Sequence, residues 1–253
     1  MQRLLTRPWA AAVLRRSGAR VVSYQKSGRT WLRLVLEDLG VRARFTHADA
    51  EHALATPLEE VGSTAGFEGR PVVFLHRDPR DVAVSWHAHA VHVLGLFDGD
   101  LRAFLRHPVL GIAHVCRFNR RWLEAGPNRG PFLPVAYEDM LEDAARETRM
   151  VLDFLGLARI GGGRIRSAVA ANGFEAMRAR ERSGELARRH PGKFSDADAP
   201  EGARKVRRGR AGAFAEDMDA DDIAYCAGVM RAEGFDPAAR IPAAPLLAGL
   251  RGD

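Results

Sequence analysis

The sequence predicts an α/β protein, a single domain in which a central parallel sheet is flanked by helices. Three short apolar runs, at residues 21–24, 71–76 and 132–137, are each followed by a segment with helical periodicity. Strands that alternate with helices are joined by right-handed crossovers, which align the strands in parallel. The chain of 253 residues is 46% hydrophobic, which is sufficient for one large core.

The first apolar run leads into a tight turn, and an amphipathic helix begins directly after Trp31. Unpaired N–H groups and the positive end of the helix dipole meet at such a helix start and favour an anion. Lys26 adds a positive charge to the turn, and Ser27 and Thr30 add hydroxyl donors. Because Trp31 also offers a large flat ring, the segment predicts a nucleotide-type ligand.

The next strand and helix follow a loop. Residues 45–47 form a short apolar-to-polar step, which we interpret as the end of a strand. A loop-like stretch over 50–69 leads to the apolar run 71–76, which is typical of a buried parallel strand. Pro79 then starts a helix that continues towards residue 93, since proline is tolerated in the first helical turn.

The second half of the chain continues the alternation of helices and strands. Residues 102–125 are predicted to be helical, with a break at Pro108. Pro134, within the last apolar run, indicates an edge position or a strand start. Helices are then predicted over 138–155 and over 219–234.

The segment 183–210 is rich in charge, glycine and proline and shows little apolar periodicity. We interpret it either as a solvated connection or as a mobile lid over a ligand, because long loops inside compact domains are often functional. The single domain is expected to occupy residues 1–253, with its core at about 20–234.

The composition limits the classes of partner. A net charge of +6 favours anionic partners such as nucleotides, acidic substrates, membrane surfaces and nucleic acid. Cys116 and Cys226 are too isolated for a disulfide framework or a metal site, which is typical of a reducing cytoplasm. No apolar run is long enough to cross a bilayer. Residues 1–20 are expected to form a surface helix, with a basic membrane anchor or a targeting segment as the alternatives.

The first turn resembles the Tyr-Pro-Lys-Ser-Gly-Thr-Thr-Trp loop of sulfotransferases, with the sequence Tyr24-Gln25-Lys26-Ser27-Gly28-Arg29-Thr30-Trp31. It lacks the glycine that precedes the lysine in the usual ATP-binding phosphate loop. Gln25 stands where proline is common, and Arg29 stands where threonine is common. The resemblance implies that 3′-phosphoadenosine 5′-phosphosulfate (PAPS) is bound by Lys26, Ser27, Gly28, Arg29, Thr30 and Trp31.

A second motif opens the helix after the strand at 71–76. From the residues alone, Arg77 could bind a phosphate through two hydrogen bonds or could pair with Asp81. Ser85 lies about two helical turns further on. The stretch from Arg77 to Ser85 resembles the sulfotransferase motif Arg-Asn/Asp-Pro-Lys/Arg-Asp-Val-Ala-Val-Ser. That resemblance implies that Arg77 and Ser85 bind the 3′-phosphate of the nucleotide.

Three later segments also resemble sulfotransferase motifs. They imply that the nucleotide is contacted by Tyr137 at the adenosine, by Asn172 and Phe174 at the adenine, and by Arg207, Arg208 and Gly209 at the 3′-phosphate. Asn172 stands where threonine is common. The resemblance covers residues 20–234 and implies one α/β domain related to nucleotide kinases.

The candidate catalytic base is a histidine, since its pKa lies near working pH. Phe45 and the two residues after it resemble the Lys-Thr-His step of sulfotransferases, which implies that His47 is the base. Phe45 replaces the lysine found in many animal members. His52 is the alternative base, and Asp49 could orient either ring. By the same resemblance, Lys26 stabilises the bridging oxygen as the S–O bond breaks.

Three histidines in the helix after Pro79 invite interpretation as a metal site. Only His89 and His92 would share a helix face, and no carboxylate completes a ligand set with them or with His87. The alternative is that these histidines line the acceptor pocket. We therefore expect PAPS as the co-substrate and no metal.

The acceptor is expected to be a hydroxyl or amine of a small molecule, a lipid or a carbohydrate, and no nucleic acid is expected as a partner. One alternative is a magnesium-dependent kinase on a related fold. Another is a basic module that binds nucleic acid or another anionic surface through the arginines between Arg178 and Arg210. Aromatic residues make up only 8% of the chain, which argues against base stacking. The expected location is the cytoplasm.

Overall fold

The computed structural model of the chain describes residues 20–52, 56–200 and 203–240, with the backbone alone described at residues 51 and 52. Within these ranges four parallel strands form one sheet. The strands are β1 (Arg20–Ser23), β2 (Arg44–Thr46), β3 (Val72–His76) and β4 (Phe132–Ala136). Their order across the sheet is β2-β1-β3-β4, which confirms the predicted parallel sheet. The helix expected within residues 1–20 lies outside the described residues, apart from Arg20.

Helices follow the strands along the chain. The described α-helices are α1 (Arg29–Asp38), α2 (Pro79–His92), α3 (Leu101–Leu105), α4 (Ile112–Ala125), α5 (Tyr137–Phe154), α6 (Gly162–Ala171), α7 (Phe174–Arg182), α8 (Glu185–Arg189) and α9 (Ala220–Ala232). Short 3₁₀ turns occupy Ala48–His52, Gly126–Asn128 and Ala213–Glu216. Among the described helices, none combines the length and the hydropathy that a membrane span requires.

The sheet is covered on both faces. Side chains alternate along a strand, so neighbouring residues enter different cores. Val22 and Phe74 pack with residues of α2 and α4 on one face. Val21 and Val73 pack with residues of α1 and α5 on the other face. This two-sided burial explains why the sequence around β1, β3 and β4 forms continuous apolar runs without alternating polar residues, whereas the edge strand β2 is partly exposed.

Pro134 lies in the edge strand β4, opposite Phe74 of β3. A proline has no N–H to donate to a sheet ladder, so a central strand would lose a hydrogen bond there. The predicted edge position is confirmed.

Two helices differ from the sequence prediction at the level of individual residues. α1 begins at Arg29, three residues earlier than predicted, because Gly28 ends the turn with a φ of 93° and serves as the N-cap. The predicted continuous helix over 138–155 is interrupted at Asp143, whose φ of −149° and ψ of 81° are not helical.

The segment 183–210 contains the short helix α8, although its sequence predicts no regular structure. Leu186 is completely buried, and it packs with Leu34, Met177 and Val206 in a small separate core. Leu186 is the one large apolar side chain among the five residues of α8. A single such residue gives no periodicity, so this helix depends on tertiary packing rather than on local pattern.

The strand order reverses between β1 and β3, because the chain adds β2 on one side of β1 and β3 on the other. In open parallel sheets such a reversal leaves a crevice beyond the carboxyl ends of the two strands. The turn that contains Lys26 follows β1, and Arg77 follows β3. Both therefore reach the same crevice.

Candidate active site

A cavity of about 410 Å³ occupies this crevice. Most of the predicted site residues line it, although they come from separate parts of the chain. These lining residues are Lys26, Gly28, Arg29, Thr30, Trp31, His47, Arg77, Ser85, Tyr137, Phe174, Arg207, Arg208 and Gly209. The cavity therefore unites residues that the sequence motifs predicted separately.

The turn before α1 is shaped to receive an anion. Lys26 and Gly28 both have left-handed backbone conformations, with φ values of 64° and 93°. No side chain caps α1, and its first turn contains no acidic residue. The first N–H groups of a helix have no partner within it, so here they can bind an anion at the cavity.

Gly28 is required by close packing as well as by its backbone angle. A Cβ atom at this position would lie 2.4 Å from the ring of Tyr137. The same ring lies 4.4 Å under the guanidinium of Arg77 and 6.0 Å from the ring of Trp31. Tyr137 thus joins the turn after β1 to the residue that follows β3.

Lys26 lies in an environment that disfavours its positive charge. Burial lowers the pKa of Lys26 to about 7, and the charges of Lys205 and Arg207 add to this shift. A bound anion would oppose both effects and favour the ammonium form. The electrostatics of the turn therefore suit an anionic ligand.

Arg77 forms the ion pair with Asp81 that its sequence left open as one alternative. Its Nη2 lies 3.5 Å from the carboxylate of Asp81, and it also donates to the carbonyl oxygen of Arg210 at 3.1 Å. Its Nε is buried and has no hydrogen-bond partner among the described residues. Arg77 and Ser85 both line the cavity. The ion pair and the hydrogen bond to Arg210 orient the guanidinium at the cavity.

A segment that we call the strap, residues 203–214, covers one side of the cavity. Two carboxylates hold its backbone. Glu181, which is completely buried, accepts from the N–H groups of Lys205 and Val206 at 2.8 and 2.9 Å. Asp81 accepts from the N–H groups of Gly212 and Phe214, both at 2.9 Å. Sequence reasoning assigned no role to Glu181 and considered Asp81 only as a partner of Arg77, since these contacts span 24 to 133 residues.

Within the strap, Arg207 and Arg208 have different surroundings. Arg208 forms an ion pair with Asp217, with Nη2 and Oδ1 2.9 Å apart. Burial, followed by the charge of Arg208, lowers the pKa of Arg207. Arg207 is therefore the cation of this pair that a ligand anion would stabilise more strongly.

One wall of the cavity is apolar and aromatic. Trp31 and Phe174 pack against the small core that contains Met177 and Val206. All four residues line the cavity. A flat heterocyclic base would bury its faces against such a wall.

His47 follows β2 and is held by the backbone of β1. Its Nδ1 lies 2.9 Å from the carbonyl oxygen of Ser23. A carbonyl oxygen only accepts, so Nδ1 carries the proton and the lone pair lies on Nε2. Burial lowers the pKa of His47 to about 3, and the charge of Arg29 acts in the same direction. The ring is neutral at neutral pH, as a general base must be before reaction.

The other residues considered with His47 have different surroundings. The carboxylate of Asp49 accepts from the N–H groups of Gly62 and Ser63 at 3.1 and 2.9 Å. It therefore holds the loop after β2. The side chain of His52 lies outside the described residues.

Ser27 and Asn172 do not belong to the cavity lining. The Ser27 side chain is completely buried beneath the turn. The Asn172 amide donates to Asp38 at 2.7 Å and to the carbonyl of Ala168 at 2.9 Å, and it accepts from Arg180. These contacts place Asn172 as a link between α1, α6 and α7.

Besides Asp81, two cavity residues carry charge or titrate but were not assigned to the nucleotide site from the sequence. His89 lines the cavity, and burial, with the charge of Lys26, lowers its pKa to about 3. Lys205 lines it from the strap. The spacing of His89 after Ser85 was a usable signal, because residues four positions apart lie on the same face of a helix. No local signal points to Lys205.

The remaining histidines of α2 lie elsewhere. His87 Nε2 lies 3.0 Å from the carbonyl oxygen of Gly99, and His92 is exposed. In the described part of the chain, no group of three or more His, Cys, Asp and Glu side chains is arranged to hold a metal ion.

Comparisons with known proteins agree with this geometry. Residues 71–234 match the family model of the sulfotransferase domain. No curated protein matches the sequence of the chain. The solved structure of a mouse sulfotransferase in complex with 3′-phosphoadenosine 5′-phosphate (PAP) is similar to the structure of this chain. The TM-score is 0.60 at 18% identity, over 85% of this chain and 83% of that one.

Two structures of retinol dehydratase are similar as well. The complex with retinol and PAP gives a TM-score of 0.56 at 18% identity and covers 88% of this chain and 83% of that one. The complex with androsterone and the inactive cofactor PAP gives a TM-score of 0.60 at 17% identity and covers 88% of this chain and 82% of that one. At these identities the similarity demonstrates a shared fold.

Proposed function

Since this chain belongs to the sulfotransferase family and transfers sulfuryl groups, we propose that PAPS binds in the cavity beyond β1 and β3, with the acceptor beside His47. One observation carries this proposal. The Lys26 turn and the Arg77–Ser85 segment, which are separated in sequence, line a single cavity together with His47. This arrangement supports the assignment of an anion site to each of two neighbouring strand ends, with His47 in the same cavity.

The nucleotide is oriented by charge at one end and by apolar contact at the other. We place the 5′-phosphosulfate at Lys26 and the backbone N–H groups at the start of α1. The 3′-phosphate lies between Arg77, Ser85 and Arg207. The adenine packs against the wall formed by Trp31 and its neighbours.

The transfer is a single in-line displacement. The acceptor oxygen forms a bond to sulfur while the bond from sulfur to the bridging phosphate oxygen breaks. The electron pair of the broken bond leaves with 3′-phosphoadenosine 5′-phosphate (PAP), and the acceptor proton moves to Nε2 of His47. Lys26 stabilises the charge that develops on the bridging oxygen. Positioning and charge stabilisation thus provide the catalysis, as they do in phosphoryl transfer.

The acceptor is proposed to be the hydroxyl group of a small, largely apolar molecule. The retinol dehydratase structures hold retinol and androsterone, both of which fit this description. In this chain the cavity lining includes the apolar side chains of Val84 and Leu141, which are not part of the Trp31 wall. These residues can bury an apolar acceptor next to His47.

Calorimetric titration with PAP tests the donor assignment. The wild-type chain is expected to bind PAP at micromolar concentrations without magnesium. Arg77→Ala should weaken binding at least tenfold, because it removes a charged hydrogen-bond donor from a buried site. Arg42→Ala, at an exposed arginine outside the cavity lining, is the matched control and should bind as the wild type does.

Two results would contradict the proposal. One is the absence of PAP binding at tens of micromolar by the folded wild-type chain. The other is tight, magnesium-dependent binding of ATP in preference to PAP, which would favour a kinase. A panel of sterols, phenols, other small alcohols and sugars, assayed with PAPS, identifies the acceptor class.

A further inference from the structure

Lys205 is a cavity residue for which the proposed nucleotide contacts provide no role. It belongs to the strap and lines the same cavity as Lys26 and His47. Its ammonium donates to the carbonyl oxygen of Lys193 and lies 5.2 Å from the centre of the Phe194 ring. An ammonium has three N–H donors, so this contact leaves donors for a ligand.

The backbone of Lys205 is fixed by buried groups. Its N–H donates to Glu181 at 2.8 Å, and the N–H of the next residue, Val206, donates to the other oxygen of the same carboxylate at 2.9 Å. The Val206 side chain packs with Leu34 and Leu186 in the small core beside the cavity. A carboxylate with two backbone donors is a strong anchor. The backbone of Lys205 is therefore set by the fold, and the contacts with Lys193 and Phe194 hold its ammonium.

The charge of Lys205 acts on both ends of the proposed reaction. Among the neighbouring charges it is the first cause, after burial, of the lowered pKa of Lys26, and it also lowers the pKa of His47. Burial, then the charge of Arg33, lowers the pKa of Lys205 itself to about 8. Lys205 thus acts electrostatically on the group at the leaving oxygen and on the group at the acceptor, and all three residues line one cavity. The sulfuryl group passes between the leaving oxygen and the acceptor.

A sequence difference at β2 is consistent with this position. Phe45 stands where the sulfotransferase motif has a lysine two residues before the histidine. The Phe45 ring instead packs 4.5 Å under the guanidinium of Arg33. No lysine reaches the cavity from β2, whereas Lys205 reaches it from the strap.

We propose that Lys205 is a catalytic residue that hydrogen-bonds an oxygen of the transferred sulfuryl group, and that Glu181 is the positioning residue that holds it there. The proposal rests on the proposed function. Lys205 keeps its protons throughout. It stabilises the negative sulfuryl oxygens while the new bond from sulfur to the acceptor oxygen forms and the bond to the phosphate oxygen breaks.

The two nucleotides PAPS and PAP provide the test, because PAP lacks the sulfuryl group. Calorimetry should show that Lys205→Met weakens PAPS binding at least fivefold and changes PAP binding less than twofold. Lys205→Arg, which keeps the charge, should restore part of the PAPS affinity. Lys193→Met, at an exposed lysine whose carbonyl rather than side chain contacts Lys205, is the matched control and should bind both nucleotides normally.

Glu181→Gln tests the positioning role in the same assay. A glutamine keeps one acceptor for the strap and presents an N–H group to the other donor. We expect the PAPS affinity to fall further than the PAP affinity, because Glu181 holds Lys205 as well as Val206 of the adenine wall. A thermal unfolding scan of each variant, made before titration, establishes that the variant is folded. If Lys205→Met is not folded, Lys205→Gln is titrated in its place.

The outcomes separate the two proposals. An equal loss of PAP and PAPS affinity in Lys205→Met would overturn the sulfuryl contact, and so would no loss of either affinity. In both cases PAP binding by the wild type would still support the proposed nucleotide site. If Glu181→Gln weakens both nucleotides equally, its specific positioning role is wrong. Failure of the wild type to bind PAP would instead overturn the proposed function, and this inference with it.

Discussion

At the scale of single residues, the cavity brings several cations together before any ligand is present. Lys26, Arg77, Lys205 and Arg207 all line it. Burial is the largest cause of the lowered pKa of Lys26. The positive charges of Lys205, Arg207 and Arg77 lower that pKa further. PAPS and PAP carry charge on both of their phosphate positions, so either nucleotide relieves this repulsion. Binding should therefore be coupled to protonation.

We predict that PAP binding at pH 7.5 is accompanied by proton uptake at Lys26. In the ligand-free protein the pKa of Lys26 is about 7, so the amine is largely neutral at this pH. The nucleotide anion raises that pKa, and a proton is taken up. The measurement is the binding enthalpy in buffers of different ionisation enthalpy. Lys26→Met should reduce the uptake, and Lys193→Met should not. Equal uptake in the wild type and Lys26→Met would contradict this assignment.

His47 provides a second prediction at the same scale. His47→Ala should lower turnover at least about 100-fold, the usual contribution of a general base. PAP affinity should change less than twofold, since the base contacts the acceptor rather than the nucleotide. Steady-state kinetics with PAPS and calorimetry with PAP give the two values. His92→Gln, at an exposed histidine of α2, is the control. Normal turnover in His47→Ala would remove His47 as the base.

At the scale of elements, the strap is shaped by groups that are distant in sequence. Glu181 of α7 holds one part, and Asp81 of α2 holds the other. Between them Gly209 has a φ of 62°, and a Cβ atom there would lie 2.1 Å from the ring of Phe174. The strap and the aromatic wall are therefore in direct contact at a position that only glycine fits.

Gly209→Ala is predicted to weaken PAP binding at least tenfold. The added methyl group forces Phe174 or the strap to move, and both line the cavity. Gly212→Ala is the matched control, because Gly212 has a similar φ of 72° but no atom within 4 Å of the added Cβ. Both variants bear the backbone strain of alanine at positive φ, about 1 kcal/mol. Calorimetry that finds the same PAP affinity for the two variants would show that the ring contact is unimportant.

The elements also show where sequence reasoning succeeds. The apolar runs predicted β1, β3 and β4, and Pro134 predicted the edge position of β4, because burial on two faces and a missing N–H are local properties. The interruption at Asp143 and the helix α8 have no local signature. α8 is stabilised by Leu186, whose partners lie on α1 and α7 and in the strap.

At the scale of the whole molecule, the β2-β1-β3-β4 order makes one core on each face of the sheet and leaves the crevice at the β1–β3 reversal. Both cores extend beneath the site. His76, the last residue of β3, is completely buried directly before Arg77. Its ring nitrogens have no hydrogen-bond partner among the described residues. This neutral histidine links the stability of the fold to pH.

We predict that the free energy of unfolding decreases as the pH falls from 6.5 towards 4. Burial lowers the pKa of His76 to about 4, whereas in the unfolded chain it is about 6.5. Between these values the unfolded state binds a proton that the folded state does not, so acid favours unfolding. This group alone contributes about 3 kcal/mol over that range.

Urea unfolding at several pH values between 4.5 and 7.5 measures this dependence. His76→Gln cannot titrate and should show a smaller decrease in the free energy of unfolding over the same range. His92→Gln, at an exposed position, should behave as the wild type. A His76→Gln slope identical to that of the wild type would assign the acid sensitivity to other groups.

The sequence by itself determined the fold class, the family and most of the cavity lining. Strand and helix periodicity depend on neighbouring residues, and the Lys26 turn and the Arg77–Ser85 segment are each continuous in the chain, so local pattern was sufficient. Only the tertiary structure decided that Asn172 is a link between helices, that Glu181 and Asp81 hold the strap, and that Lys205 lines one cavity with Lys26 and His47. These roles depend on contacts across 24 or more residues, or on the direction in which a buried side chain points. Such contacts exist only after the chain has folded, so no local pattern records them.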